Sequence, residues 1–110
     1  MSEEKATKVN STCAEKWKAP ELGWIKVNCD GAQDPITKNA RLGIVMRDNQ
    51  SRVIGGFHKE TKARSSLIAE AIAIKEGLEK AREKGFPKII LETDCQLLLG
   101  RLPIVFSNKR

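Results

Sequence analysis

Trp24-Ile-Lys-Val-Asn-Cys-Asp-Gly-Ala32 decides how this 110-residue chain is read. From Trp24 to Asp30 the residues alternate: Ile25, Val27 and Cys29 fall on one face, and Lys26, Asn28 and Asp30 on the other. That period of two predicts a strand with one side on a core and one ionic side, ended by the turn-forming pair Asp30-Gly31. Two further acids stand in unlike contexts: Glu70 in Ser65-Ser-Leu-Ile-Ala-Glu-Ala-Ile-Ala-Ile74, and Asp94 in Ile89-Ile-Leu-Glu-Thr-Asp-Cys-Gln96. A carboxylate at the end of a mostly apolar strand is costly unless it is solvated, paired or bound to a cation. Three of them invite a metal-site reading.

Downstream of Asp30, a loop through Asp34, Pro35 and Asn39 leads to a second strand at about Leu42 to Arg47. Asp48-Asn49-Gln50-Ser51 is turn chemistry, and a third strand follows at about Arg52 to His58. The three strands read as an antiparallel meander. Gly55-Gly56 interrupts the third, where a sheet bend or a bulge is expected.

Next comes a helix. Ser65 or Ser66 caps its start, Gly85 and Pro87 stop it, and Lys80, Arg82 and Lys84 suit the dipole of its last turns. Leu67, Ala71, Ile74, Leu78 and Ala81 form one stripe, predicted to pack on the sheet. At ~100° per residue Glu70 sits on the edge of that stripe, while Glu76, Glu79 and Glu83 fall on the opposite, solvated side. Gly77 inside the helix costs on the order of 1 kcal/mol relative to Ala, which points to close contact with a neighbouring element.

Lys88 to Asp94 is a β-branched and apolar strand ending in Asp94. The strand, helix, strand succession favours a crossover that sets it parallel to a strand already in the sheet. If that neighbour is the first strand, Asp30 and Asp94 lie side by side at the carboxyl edge, where open α/β sheets bind ligands. Cys95 to Leu102 reads as a short second helix ended by Pro103, and Ile104 to Ser107 as the stub of a fifth strand.

Composition bounds the function classes. With 40% hydrophobic and 31% charged residues the chain is globular. A net charge of +6 favours a polyanionic partner. Lys26, Lys38, Arg41, Lys59, Lys62 and Arg64 are candidate phosphate contacts. The longest late apolar tract, Leu97 to Phe106, is broken by Gly100, Arg101 and Pro103 and is too short to cross a bilayer, so no membrane is expected. Cys13, Cys29 and Cys95 form no CxxC pair, which argues against a zinc knuckle or disulfide framework. With no apolar signal core near Met1, this predicts an intracellular protein with reduced thiols. Residues 1–16 read as a flexible leader and 17–110 as one domain.

From Trp17 to about Leu102 the chain resembles the ribonuclease H-like domain, most closely the plant branch related to retroelement reverse transcriptases. The matching phrases, in order, are Gly23 to Ala32, Gly43-Ile-Val-Met-Arg-Asp48, Arg52-Val-Ile-Gly-Gly56, Ala69-Glu-Ala-Ile-Ala-Ile-Lys-Glu-Gly-Leu78 and Ile90-Leu-Glu-Thr-Asp-Cys-Gln-Leu-Leu98. The resemblance implies an α/β fold with a mixed sheet: three antiparallel strands, a helix, a parallel strand and a short helix. It implies that Asp30, Glu70 and Asp94 are catalytic carboxylates binding Mg²⁺, with Mn²⁺ as substitute. Two such ions ~3.5–4 Å apart activate a water and stabilise the leaving oxygen of a phosphodiester. The implied substrate is the RNA strand of an RNA/DNA hybrid, sensed through its 2′-hydroxyls. Gln96 matches a position reaching the minor groove. Gly31, Ala32, Ser65 and Ser66 match positions near phosphate and sugar.

The family also places a fourth carboxylate on a late helix, with a His on the loop before it, and the sequence ends at Arg110 before either. His58 does not replace that His. Without the final helix a sheet edge stays open, which predicts a homodimer contact or partner binding there. Two functions follow from different classes. The acid trio supports a hybrid-cutting ribonuclease; the missing late segment supports a catalytically impaired module that binds nucleic acid or protein. A third reading is a fragment with no activity of its own.

Overall fold

The computed structural model describes residues 21–93 and 101–106. The predicted leader, the acid Asp94 and the minor-groove candidate Gln96 lie outside them. In chain order the elements are β1 (Ile25–Gln33), β2 (Asn39–Arg47), β3 (Val53–Lys62), α1 (Ser66–Glu83), β4 (Lys88–Thr93) and β5 (Arg101–Val105). They form one sheet of order β3-β2-β1-β4-β5 with α1 packed on it. The meander is antiparallel, and β4 lies beside β1 and parallel to it, as the crossover argument requires.

The connections follow from their side chains. In the β1–β2 turn Asp34 Oδ1 accepts from the Ile36 N–H at 2.8 Å, and Lys38 N–H closes onto the Asp34 carbonyl at 2.8 Å. In the β2–β3 turn Asp48 Oδ1 accepts from Gln50 N–H at 2.8 Å and Arg52 N–H at 3.0 Å. Both are Asx-type turns, in which a short carboxylate replaces a backbone acceptor. Both carboxyls are held below the usual range, chiefly by backbone N–H donors: Ile36 for Asp34 and Arg52 for Asp48.

Several boundaries differ from the sequence reading. β1 does not end at Asp30-Gly31; its ladder with β2 continues through Asp30↔Gly43 and Gly31↔Leu42 to Gln33↔Ala40. Asp30 therefore lies inside the strand, because cross-strand pairing overrides the local turn propensity of Asp-Gly. The same pairing starts β2 at Asn39 and carries β3 on to Lys62. A register shift falls between Met46↔Gly55 and Arg47↔Val53, so Ile54 is the extra residue beside the glycine pair. Of the predicted second helix, Cys95 to Gly100 lie outside the described residues, while Arg101 and Leu102 open β5. Pro103 sits within β5, on the sheet edge, where a missing N–H is tolerated.

The helix begins as expected. Ser65 is the N-cap, its Oγ accepting from Ile68 N–H at 3.1 Å, and Lys80 and Arg82 occupy the last turn. Its buried face is rotated from the predicted stripe, which shares Ala81 with it and keeps Ile74 and Leu78 on the core. Ala69, Ala73, Gly77 and Ala81 are the buried residues, whereas Ala71 is exposed and Leu67 keeps 38% of its surface. This line runs roughly 100° around the helix from the predicted stripe. Small residues let the helix axis approach the sheet, and Ile72, Ile74 and Leu78 flank the contact, partly buried. The rotation brings Glu76 toward β3, where it pairs with Lys59 at 3.2 Å instead of standing in solvent. Beneath the helix Val27, Cys29, Leu42, Ile44, Met46, Ile89 and Leu91 form the core.

Candidate functional site

The alternation of β1 sets the geometry. Val27 and Cys29 point into the core under α1, and Asp30 is exposed. Glu70, one turn into α1, lies nearer the buried line than the sequence placed it. Its Oε1 accepts the Gly31 N–H at 3.0 Å. The peptide that joins Asp30 to Gly31 therefore holds the Glu70 carboxylate, so the helix acid is anchored to β1 at the residue after Asp30. Ordered contact with a backbone donor fixes the orientation of a side chain that is otherwise rotamer-rich.

A charge at this point is felt by its neighbour. The Cys29 thiol is pushed up to about 12, first by burial and then by the negative charge of Glu70. It is a protonated packing group rather than a nucleophile.

Asp94 immediately follows Thr93, and Thr93 is the register partner of Cys29, the residue before Asp30. Among the described residues no three His, Cys, Asp or Glu side chains gather to hold a metal ion. The two acids that are described each supply hard carboxylate oxygens, Asp30 exposed and Glu70 oriented by a backbone N–H. That is donor chemistry suited to Mg²⁺, which takes one or two carboxylates and keeps several waters.

Of the other predicted contact residues, Ala32, Ser65 and Ser66 lie around the same end of the sheet. Ala32 is exposed and pairs with Arg41 across β1 and β2. It lines an open groove of about 490 Å³ with Gln33, Thr37, Asn39 and Glu60 among others. Ser65 spends its hydroxyl as an acceptor in the helix cap, and Ser66, the first helical residue, is exposed. His58 lies within β3, exposed, paired with Gly43.

A group the sequence reading passed over sits on the face opposite α1. Lys26, expected on a solvated side, is only 3% exposed. Its Nζ is 3.2 Å from Glu92 Oε2, Arg101 Nε reaches the same oxygen at 3.2 Å, and Asn28 Nδ2 donates to Glu92 Oε1 at 3.3 Å. Glu92 thus ties β1, β4 and β5 together two residues before Asp94. The signal was present as opposite charges at Lys26 and Glu92, but it becomes readable only with the parallel register in hand.

With this geometry established, comparison with known proteins gives a consistent family. The family described as "Reverse transcriptase-like" matches residues 28–102. An Arabidopsis thaliana protein named "Putative ribonuclease H protein" is 37% identical over 92 residues, covering 84% of this chain; the chain spans about 15% of that relative's length. The structure of ribonuclease H1 from the halophilic archaeon Halobacterium salinarum superposes with a TM-score of 0.62 at 25% identity, over 67% of this chain and 56% of that one. LC11 ribonuclease H1, solved in complex with an RNA/DNA hybrid, shares the fold with a TM-score of 0.60 at 18% identity, over 66% of this chain and 56% of that one. This chain belongs to the reverse transcriptase-like family and folds as a ribonuclease H-like domain.

Proposed function

We propose that the domain hydrolyses the RNA strand of RNA/DNA hybrids with a divalent cation, Mg²⁺ or Mn²⁺, held by Asp30, Glu70 and Asp94. The observation that carries this reading is the hydrogen bond from Gly31 N–H to Glu70 Oε1, which sets the helix acid against the peptide that follows the strand acid Asp30. When bound, the metal would polarise the phosphodiester and lower the pKa of an attacking water. The chain's own work is to hold acceptor oxygens in place. Gly31 orients Glu70, and Asp30, the residue before Gly31, is exposed.

Substrate contacts are assigned on the same reading. Ala32 presents exposed backbone next to Gly31, which is itself buried with its N–H on Glu70, and Ser65 and Ser66 open α1, whose N-terminal N–H groups favour a phosphate. Gln96 would read the minor groove, where 2′-hydroxyls distinguish RNA from DNA. The net charge of +6 favours the polyanion, and that attraction weakens as salt rises. The relative's name and the hybrid bound by LC11 ribonuclease H1 support the choice of substrate.

The test offers labelled RNA/DNA hybrid, duplex DNA and duplex RNA to the full chain with Mg²⁺, and again with chelator. Cutting confined to the RNA of the hybrid and abolished by chelator is expected. Binding of the hybrid without cutting under Mg²⁺, or under Mn²⁺ in its place, would leave a nucleic-acid-binding module in place of an enzyme.

A further inference from the structure

We propose that Gly31 is a positioning residue, whose N–H and missing side chain together set Glu70 against β1 at the residue after Asp30, and that Gly77 sets the same helix–strand distance from the other end. This inference rests on the metal-site reading above and assigns it two residues.

The contact is built from both partners. A Cβ at Gly31 would meet the Ala69 carbonyl oxygen, lie 2.7 Å from the Ala69 carbonyl carbon and 3.0 Å from Glu70 N. Each of these atoms is backbone, so no side-chain rotation relieves the collision. α1 therefore lies directly on β1 at the residue before Glu70, and only glycine admits it. The Gly31 N–H lies beyond the last described β1–β4 pair, Cys29↔Thr93, and Glu70 Oε1 takes it at 3.0 Å. A larger residue here would push away the very turn that carries the acid.

Two turns along the helix the notch is reversed. A Cβ at Gly77 would lie 2.5 Å from Cys29 Sγ, 3.4 Å from Val27 Cγ1 and 3.7 Å from Ile44 Cγ1. Here the strand supplies the side chain and the helix supplies the space. Ala73, fully buried, sits between the two glycines. Two fixed points on one helix define its distance and tilt, so a bulkier residue at either glycine displaces Glu70 relative to β1.

The experiment combines amide NMR with Mn²⁺ titration of the full 110-residue chain. In the wild type the Gly31 amide should exchange slowly with solvent. Glu70→Ala should shift its resonance and speed its exchange, while Glu76→Gln, in the Lys59 pair, leaves both unchanged. Folded Gly31→Ala should bind Mn²⁺ at least ~10-fold more weakly, the scale on which an outer-shell partner tunes a metal site. If Gly31→Ala does not fold, Gly77→Ala decides: it should weaken Mn²⁺ binding, and adding Cys29→Ala should restore it by emptying the space the new methyl needs. A Gly31 amide indifferent to Glu70→Ala overturns the proposal, as does wild-type Mn²⁺ affinity in folded Gly31→Ala or, where that variant does not fold, in Gly77→Ala. Failure of the wild type to bind Mn²⁺ would instead overturn the metal-site reading, and the amide response alone would then decide the positioning role.

Discussion

Replacing Gly77 with alanine should destabilise the fold, although alanine is the better helix former. The intrinsic gain is about 1 kcal/mol. Against it stands a methyl group placed 2.5 Å from Cys29 Sγ and 3.4 Å from Val27 Cγ1, in a core where Val27 and Cys29 are almost wholly buried. Overpacking of this kind costs ~1–3 kcal/mol, so the net loss should be about 1 kcal/mol. Cys29→Ala alone removes a buried sulfur and should also cost about 1 kcal/mol through the space it leaves. Combined, the two changes exchange one atom for another across the same contact, and the double variant should return close to wild-type stability. The coupling is then about 2 kcal/mol, within the range measured for touching residues. Urea unfolding of the four proteins, with m-values unchanged, reads it directly. A coupling below ~0.5 kcal/mol would refute the claim that Cys29 occupies the notch of Gly77.

Three smaller predictions concern pH and capping. Because the folded Cys29 thiol is raised from 9.0 to about 12, the unfolded chain loses its proton first as pH rises. The stabilisation is complete below pH ~9 and is lost toward pH 12, so alkaline unfolding monitored by circular dichroism should be shallower in Cys29→Ala. The carboxyls of Asp34 and Asp48 are lowered in the folded state, so their contribution is present above pH ~4 and fades as pH falls through their folded values. Asp34→Asn with Asp48→Asn should flatten the acid limb of stability. Ser65→Ala removes the acceptor of Ile68 N–H and should lower thermal stability by about 1 kcal/mol; Ser65→Asn should retain most of it.

The order of elements was legible because strand and helix periods are written locally, and the turn acids Asp34 and Asp48 mark their own turns. Pairing decided what local signals could not. Asp30-Gly31 looks like a terminus in isolation, but Gly43 and Leu42 extend the ladder past it. The helix face was misread because apolar size was taken as the guide, whereas the contact demands small residues; Gly77, already suspected of close contact, was the pointer to Ala69 and Ala73. Glu70 was placed near the sheet by phase alone, yet its acceptor role toward Gly31 needs three-dimensional proximity across 39 residues of sequence. The Glu92 cluster stayed hidden for the same reason, since a parallel register is set by a crossover and not by neighbouring residues.

The proposed hydrolysis of a hybrid depends on the carboxylates of Asp30, Glu70 and Asp94. Single-turnover cleavage of a labelled RNA/DNA hybrid with Mg²⁺, wild type against Asp30→Asn with hybrid binding measured in parallel, tests it most directly. The wild type should cut the RNA strand and Asp30→Asn should lose at least ~100-fold, the scale for removing one preorganised electrostatic contact from a catalyst, with binding retained. Equal cleavage rates in the two proteins would contradict it.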